Sequence, residues 1–231
     1  GFGVGNTSNA GHDHIDICGI YITGTGTALV VAAGGEIKGR TDAISDAGAG
    51  VGINVAAAGT IDVMVAQDVA CATAWTVATG GAMHLGCPHI TGTGALAGTA
   101  TAETRGTQTG NVTITTGGAA TWEHYGAVTG DLDSGNSTTI TIYGDVTGNV
   151  ETNTSGTIII YGRLTGTISG TGTLRVVSDR LQGMQSGGGT ARTVNEYDIL
   201  TTDVVPHIID ANGGAVELNL PTAAAWIAAN P

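Results

Sequence analysis

Apolar and polar residues alternate strictly along residues 122–168, in a pattern that returns at a constant interval of 18 positions. In "ITIYGDVTGNV", residues 140–150, every second position is Ile, Val or Gly, and Thr, Tyr, Asp and Asn lie between them. The same alternation occurs in "WEHYGAVTGDL" (122–132) and "IIIYGRLTGTI" (158–168), and polar links of seven residues separate the three copies. A period of two predicts β-strands with one buried face.

A single copy cannot bury its apolar face alone, so we expect the copies to stack on one another. "GNVTI" (110–114) opens the series, and "LRVVSDRLQG" (174–183) is a degenerate last copy. We therefore predict an all-β fold of β-solenoid-like repeats with about 18 residues per unit. The alternative is a trimeric, interleaved meander of antiparallel strands, because the period alone does not separate the two folds.

Glycines recur at matching places on the predicted inward face of each copy, as Gly126 and Gly130 do in the first. A position without a side chain lets a strand bend sharply or lets another backbone come close. We expect each unit to be one bent strand followed by a turn.

The rest of the chain divides into less regular segments. Residues 1–105 are a Gly/Ala/Thr-rich β region, and residues 106–183 form the repetitive shaft. "MQSGGGTARTVNE" (184–196) reads as a flexible linker. "DANGG" lies between two alternating runs and predicts a β-hairpin within a C-terminal module of residues 197–231.

Composition limits both the core and the partners. The chain has 40 Gly, 3 Trp and 1 Phe, so large apolar side chains are scarce and the core must be thin and repetitive, or shared between chains. A formal net charge of −12 argues against nucleic acid as a partner. No apolar run of about 18 residues occurs, so no membrane span is expected. Three cysteines without a CxxC pair leave at least one thiol free or bonded to another chain.

A second pattern lies near the end of the chain. Tyr197, Ile199, Asp203, an apolar run to Ile209, "DANGGAVELNLP" and Ala-rich residues follow one another within residues 197–224. This stretch resembles a small β-module common in bacteriophage tail fibres and other virion appendages. In that family the module accompanies Gly/Thr-rich shafts in trimeric fibres. The resemblance implies a virion or extracellular structural protein that forms a homotrimer or larger assembly with other virion proteins, and it carries no catalytic residues.

"GHDHIDIC" (11–18) is the sharpest local signal for a metal ion. Imidazole, carboxylate and thiolate groups are transition-metal ligands. One strand cannot surround an ion with residues two apart, so a second element or copy is needed. Phage spike and fibre tips resemble this segment in one respect, because an HxH motif from three chains can supply six nitrogens to one ion. The alternative is a plain polar strand. The predicted ligands on one face are His12, His14, Asp16 and Cys18.

Carboxylates in the repeats suggest glycan cleavage as an alternative function. Asp131 and Asp133 lie on one face, with Asp145 and Glu151 on the following turn. Glycosidases use two carboxylates about 5–10 Å apart, and neighbouring strands lie about 4.8 Å apart. However, Asp also favours strand ends and turns for local reasons. We adopt this second explanation and expect no enzymatic activity.

Two further surface patterns are relevant to binding. The outward aromatic side chains offer passive contact with a host-surface glycan, and the predicted contact residues are Trp122, Tyr125, Tyr143 and Tyr161. Thr129, Thr147 and Thr165 align from copy to copy, which raises the question of ice binding. The neighbouring positions 131, 149 and 167 are Asp, Asn and Thr, which breaks the uniform array that such a function needs.

Together these patterns predict a structural component of a phage virion appendage: a tail fibre, spike or head fibre used in host attachment. No cofactor is expected apart from the metal ion considered at His12 and His14. A glycan-depolymerising tailspike and a bacterial or archaeal surface-layer or adhesin module are the alternatives.

Overall fold

The computed structural model describes residues 11–115 and 118–177, and the backbone of the short strands Val4–Asn6, Tyr197–Asp198 and Leu218–Asn219. Its strands pair in parallel and wind into a β-solenoid of about eight turns. The described residues include no helix. The parallel pairing confirms the predicted solenoid and excludes an antiparallel meander for this part of the chain.

Each turn contributes strands to three parallel ladders, which form the faces of the solenoid. The first ladder contains Val4–Asn6, Thr27–Val31, Val51–Val55, the end of Asp68–Val77, the end of Ala82–Leu96, Val112–Ile114, Leu132–Ser134, Val150–Thr152 and Ile168–Gly170. The second contains His12–Ile17, Glu36–Thr41, Thr60–Val65, the start of Ala82–Leu96, the start of Thr101–Thr109, Thr121–Tyr125, Thr139–Ile142, Thr157–Tyr161 and Thr173–Val177. The third contains Ile20–Ile22, Ile44–Asp46, the start of Asp68–Val77, the middle of Ala82–Leu96, the end of Thr101–Thr109, Val128–Thr129, Val146–Thr147 and Leu164–Thr165.

The turns become shorter along the chain. The first positions of the second-ladder strands pair in register, and their residue numbers are 12, 36, 60, 82, 101, 121, 139, 157 and 173. The interval between successive starts is therefore 24, 24, 22, 19, 20, 18, 18 and finally 16 positions. The 18-residue unit predicted from the sequence describes two of these turns.

The core lies between the three ladders and consists mainly of aliphatic side chains stacked turn on turn. Ile140 and Ile142 are fully buried and pair in register with the equally buried Ile158 and Ile160. In the last described turn, Leu174 and Val176 pack against this core while only partly buried. The inward positions predicted by alternation are therefore confirmed.

The corner glycines serve both purposes expected of them. Gly126 has φ of +153°, and a Cβ there would lie 1.8 Å from the carbonyl oxygen of Gly106. A Cβ at Gly144 would in turn lie 2.2 Å from the carbonyl oxygen of Gly126. The chain turns from the second ladder to the third at these positions, and successive turns approach each other too closely for a side chain.

The ladders continue through the boundary predicted at residues 105 and 106, because the strand Thr101–Thr109 spans it. The predicted linker (184–196) and the hairpin around "DANGG" lie outside the described residues. Only two short strands of the C-terminal module are described, and Tyr197–Asp198 pairs in parallel with Leu218–Asn219. In the described part of the chain, no helix has the length and apolar character needed to cross a membrane.

Candidate functional site

The segment predicted to bind metal contains the strand His12–Ile17, the first of the second ladder. Its outward side chains form hydrogen bonds with side chains of the next turn. His12 lies 2.5 Å from the Glu36 carboxylate, and Arg40 donates two hydrogen bonds of 3.0 and 3.2 Å to Asp16. The bond from Arg40 lowers the pKa of Asp16. Hydrogen bonds from Lys38 and then His12 lower the pKa of Glu36.

These contacts do not gather the predicted ligands around one point. The side chains of His12, His14 and Asp16 are exposed along the strand, and Cys18 is exposed beyond its end. Within the described residues, no group of three or more His, Cys, Asp or Glu side chains is placed to hold a metal ion. A site completed by further chains stays a prediction.

The predicted tyrosine ladder is present on the outer face of the second ladder. The Tyr125 and Tyr143 ring centroids lie 4.7 Å apart with an interplanar angle of 8°, and those of Tyr143 and Tyr161 lie 5.0 Å apart at 4°. Each residue is about 40 % exposed. Because the rings stack face to face, both faces of Tyr143 are covered and its edge is the part that meets solvent.

Trp122 corrects the predicted set of glycan-contacting residues. Its side chain is 1 % exposed and lies inside the solenoid, where its indole N–H donates to the Thr104 hydroxyl over 2.9 Å. Strand alternation places Trp122 on the inward face, opposite to Tyr125. An indole enclosed in this way cannot stack on a sugar at the surface.

A shallow groove on the outer face of the second ladder was not predicted from the sequence. It has a volume of about 320 Å³, and its lining includes His84, Glu103, Glu123 and the threonines Thr101, Thr121, Thr139 and Thr141. His84, Glu103 and Glu123 occupy the same register position on successive turns. Arg105 pairs with Glu103 at 2.8 Å, and the Tyr125 hydroxyl donates to Glu123 over 2.9 Å.

The groove escaped prediction because its residues lie 19 and 20 positions apart, outside the 18-residue period. The signal that could have found it is "ETRGTQTGNV" (103–112), which aligns with "EHYGAVTGDL" (123–132). The predicted opening phrase "GNVTI" is the end of this copy, in the first ladder.

Of the repeat carboxylates considered for catalysis, Asp133 and Glu151 lie within strands of the first ladder, whereas Asp131 and Asp145 lie at corners between strands. Asp131 accepts a hydrogen bond of 2.8 Å from the backbone N–H of Asn149, and its own N–H donates to Asn111 Oδ1 over 2.9 Å. Asp145 accepts similarly from the backbone N–H of Arg163 over 2.8 Å. These carboxylates each satisfy a backbone donor of the next turn, as expected for Asp at turns.

A buried polar and aromatic cluster fills the solenoid where its turns shorten. The Trp75 and Trp122 ring centroids lie 5.8 Å apart, and the Trp122 and His124 rings 5.3 Å apart. The Thr104 hydroxyl donates to His124 Nδ1 over 2.7 Å, and His124 Nε2–H donates to the Ala127 carbonyl over 3.3 Å. Burial lowers the pKa of His124 to about 4. The imidazole is fully buried, so it serves packing and has no contact with solvent.

The remaining candidate groups are single residues or simple rows. Cys71 and Cys87 are buried free thiols, and burial raises the pKa of Cys71 to about 11. A high thiol pKa makes such a cysteine unreactive.

The predicted alignment of Thr129, Thr147 and Thr165 is confirmed, and the row of exposed threonines also includes Thr91 and Thr109.

Comparison with known proteins gives no match: no family model, no curated protein and no solved structure is significantly similar to this chain.

Proposed function

We propose that the chain is a stiff structural segment of an extracellular or virion appendage, such as a tail fibre, spike or head fibre. The observation that carries this proposal is the run of three parallel ladders through about eight turns. Each turn is joined to the next by backbone hydrogen bonds on three faces. With strands about 4.8 Å apart, eight steps give a rod about 38 Å long.

Side-chain contacts reinforce the same axis. The row Asn111, Asp131 and Asn149 bonds each turn to the backbone of the next, ending at the Thr167 N–H. The tyrosine rings stack along the same direction. Polar groups on the corners therefore bind neighbouring turns to one another, which suits a part that transmits force.

The partners of this segment are other copies of the chain and other virion proteins. The half-buried Ile168, Leu174 and Val176 end the described core, and apolar side chains in such a position favour contact with a further layer. The homotrimer follows from the resemblance of residues 197–224 to trimeric tail fibres. The exposed tyrosines keep host-surface glycan as a proposed, passive contact.

The proposal is tested by light scattering and electron microscopy of the purified 231-residue chain. We expect a mass of at least three times 22.8 kDa and particles of elongated shape. A compact, monomeric particle under all conditions would contradict a fibre-forming role.

The groove with Glu103 and Glu123 favours glycan cleavage as a second candidate function. Their strand positions pair directly, so the two carboxylates belong to adjacent turns, a spacing compatible with a glycosidase pair. Release of reducing ends from bacterial polysaccharides, lost in both Glu103→Gln and Glu123→Gln, would support this function. Equal release by the wild type and both variants would refute it.

A further inference from the structure

The tyrosine ladder and the groove beside it form one continuous surface along the second ladder. Glu123 lies two residues before Tyr125 on the same strand, so the acidic row of Glu103 and Glu123 ends at the turn where the tyrosine row begins. On the next two turns the position of Glu123 is held by Thr141 and Ile159. Both rows follow the solenoid axis, because their members pair in register. The surface is therefore a straight channel along the tyrosine edges, with the Glu123 carboxylate at its Tyr125 end.

The ladder already holds a flat cation. The Arg105 Cζ lies 4.9 Å from the centroid of the Tyr125 ring, and the same guanidinium bonds to Glu103 over 2.8 Å. A planar positive group is thus bound between an aromatic face and a carboxylate within the chain itself. Cation–π attraction and charge pairing act together in this geometry.

The exposed edges of the three stacked tyrosines are suited to a longer ligand that is also planar and positively charged. Two steps of about 4.8 Å separate Tyr125 from Tyr161, so the three exposed edges span about 10 Å. This length matches a molecule of two or three linked rings. The net charge of −12 repels anions and attracts cations to the surface.

We propose that this channel binds flat, elongated, positively charged aromatic molecules, which lie along the solenoid axis across the edges of Tyr125, Tyr143 and Tyr161. The positive charge is directed toward Glu123, at the Tyr125 end of the channel. This inference is independent of the appendage function, because it rests only on the geometry of one face.

Thioflavin T, a flat dye with one positive charge, tests the proposal by fluorescence titration of the 231-residue chain at low salt. We expect saturable binding that weakens as salt is added. Tyr143→Thr should weaken it about fivefold to tenfold, because it interrupts the stack in the middle. The matched control is Tyr21→Thr, since Tyr21 is 70 % exposed on the third ladder and outside the stack. That variant should bind as the wild type does.

Glu123→Gln provides the second variant, since it changes only a surface group and should leave folding intact. We expect about threefold weaker binding and a smaller salt dependence. Unchanged binding in both Tyr143→Thr and Glu123→Gln, with circular dichroism showing a folded chain, would overturn the proposal. Equally tight binding of 8-anilinonaphthalene-1-sulfonate, a negatively charged aromatic dye, would also overturn it.

Discussion

The N-terminal and C-terminal turns build the same three ladders from different kinds of sequence. The first three turns advance the chain by 24, 24 and 22 positions, whereas the last three advance it by 18, 18 and 16. On the outer surface of the N-terminal turns, unlike residues face one another, as in the Asp16–Arg40 pair. On the outer surface of the C-terminal turns, like residues stack, as in the tyrosine ladder. Pairing of backbones in register requires neither the same turn length nor the same outer side chains.

The junction between the two regions shows what a change of turn length requires. Where the interval between strand starts falls from 22 through 19 and 20 to 18 positions, the interior contains two tryptophans and a buried histidine. A Cβ at Gly94 would lie 2.2 Å from the Trp75 ring, so the missing side chain makes room for that indole. Where the turns repeat regularly, stacked Ile and Val residues fill the core. We infer that large aromatic groups fill the space left by mismatched turns.

The largest effect is expected from a charge in the regular core. Ile142→Lys buries an unpaired ammonium group at a fully buried position and should lower the free energy of unfolding by roughly 5 kcal/mol. Thr141→Lys is the control, because Thr141 lies on the outward face of the same strand. Thermal denaturation followed by circular dichroism measures both. Equal melting temperatures for the two variants would refute the inward assignment.

Corner glycines should differ widely in the cost of adding a side chain. Gly126→Ala combines a positive φ with a contact to the Gly106 carbonyl and should cost about 4 kcal/mol. Gly26→Ala, at a corner of the first described turn, has no atom within 4 Å of the new Cβ and should change stability by less than about 0.5 kcal/mol. Urea denaturation gives both values. If Gly26→Ala proved the more destabilising, the close approach at the C-terminal corners would be wrong.

The buried His124 at the junction should make the free energy of unfolding depend on pH. The pKa of His124 is about 4 in the folded chain against an ordinary 6.5, so the unfolded chain binds the proton more readily between these values. This contribution is complete above pH 6.5 and is lost toward pH 4, and it amounts to about 3 kcal/mol. His124→Leu should remove this part of the pH dependence in urea denaturation. His89→Gln, an exposed control, should keep it.

The smallest effect is expected in the corner row of Asn111, Asp131 and Asn149. Asp131→Ala removes the acceptor of the Asn149 N–H and should cost about 1 kcal/mol. Asp131→Asn keeps an oxygen acceptor and should be nearly neutral. Differential scanning calorimetry can resolve the two. An equal loss in Asp131→Asn and Asp131→Ala would show that the charge, and not the hydrogen bond, matters at this position.

Much of the C-terminal half could be predicted because its period is constant. Alternation from residue 122 assigned the buried side of Ile140 and Ile158, and repetition at a constant interval brought Tyr125, Tyr143 and Tyr161 into one row. The physical reason is that equal turns keep each position in register, so a period in sequence becomes a row in space.

The N-terminal turns and the groove could not be predicted in the same way. Turn length changes along this part of the chain, so residues that pair, such as His84 and Glu103, share no constant spacing. The inward position of Trp122 followed from the same alternation that placed Tyr125 outside, but the glycan prediction grouped both as surface aromatics. The partners of His12 and Asp16, which are Glu36 and Arg40, could not be predicted either. They come from the next turn, so finding them requires the register between turns.

Pulsed electron–electron double resonance tests the stacking of turns most directly. Spin labels are attached to Thr91→Cys and Thr165→Cys in a Cys18→Ser chain, where Cys71 and Cys87 are buried and unreactive. These positions belong to one row with four steps between them, so their backbones should lie about 19 Å apart. Dilution with unlabelled protein restricts the measurement to single chains. A narrow distribution near this distance is the result that stacked turns predict. A mean distance beyond about 30 Å, where the strands would not be stacked in sequence order, would contradict the solenoid.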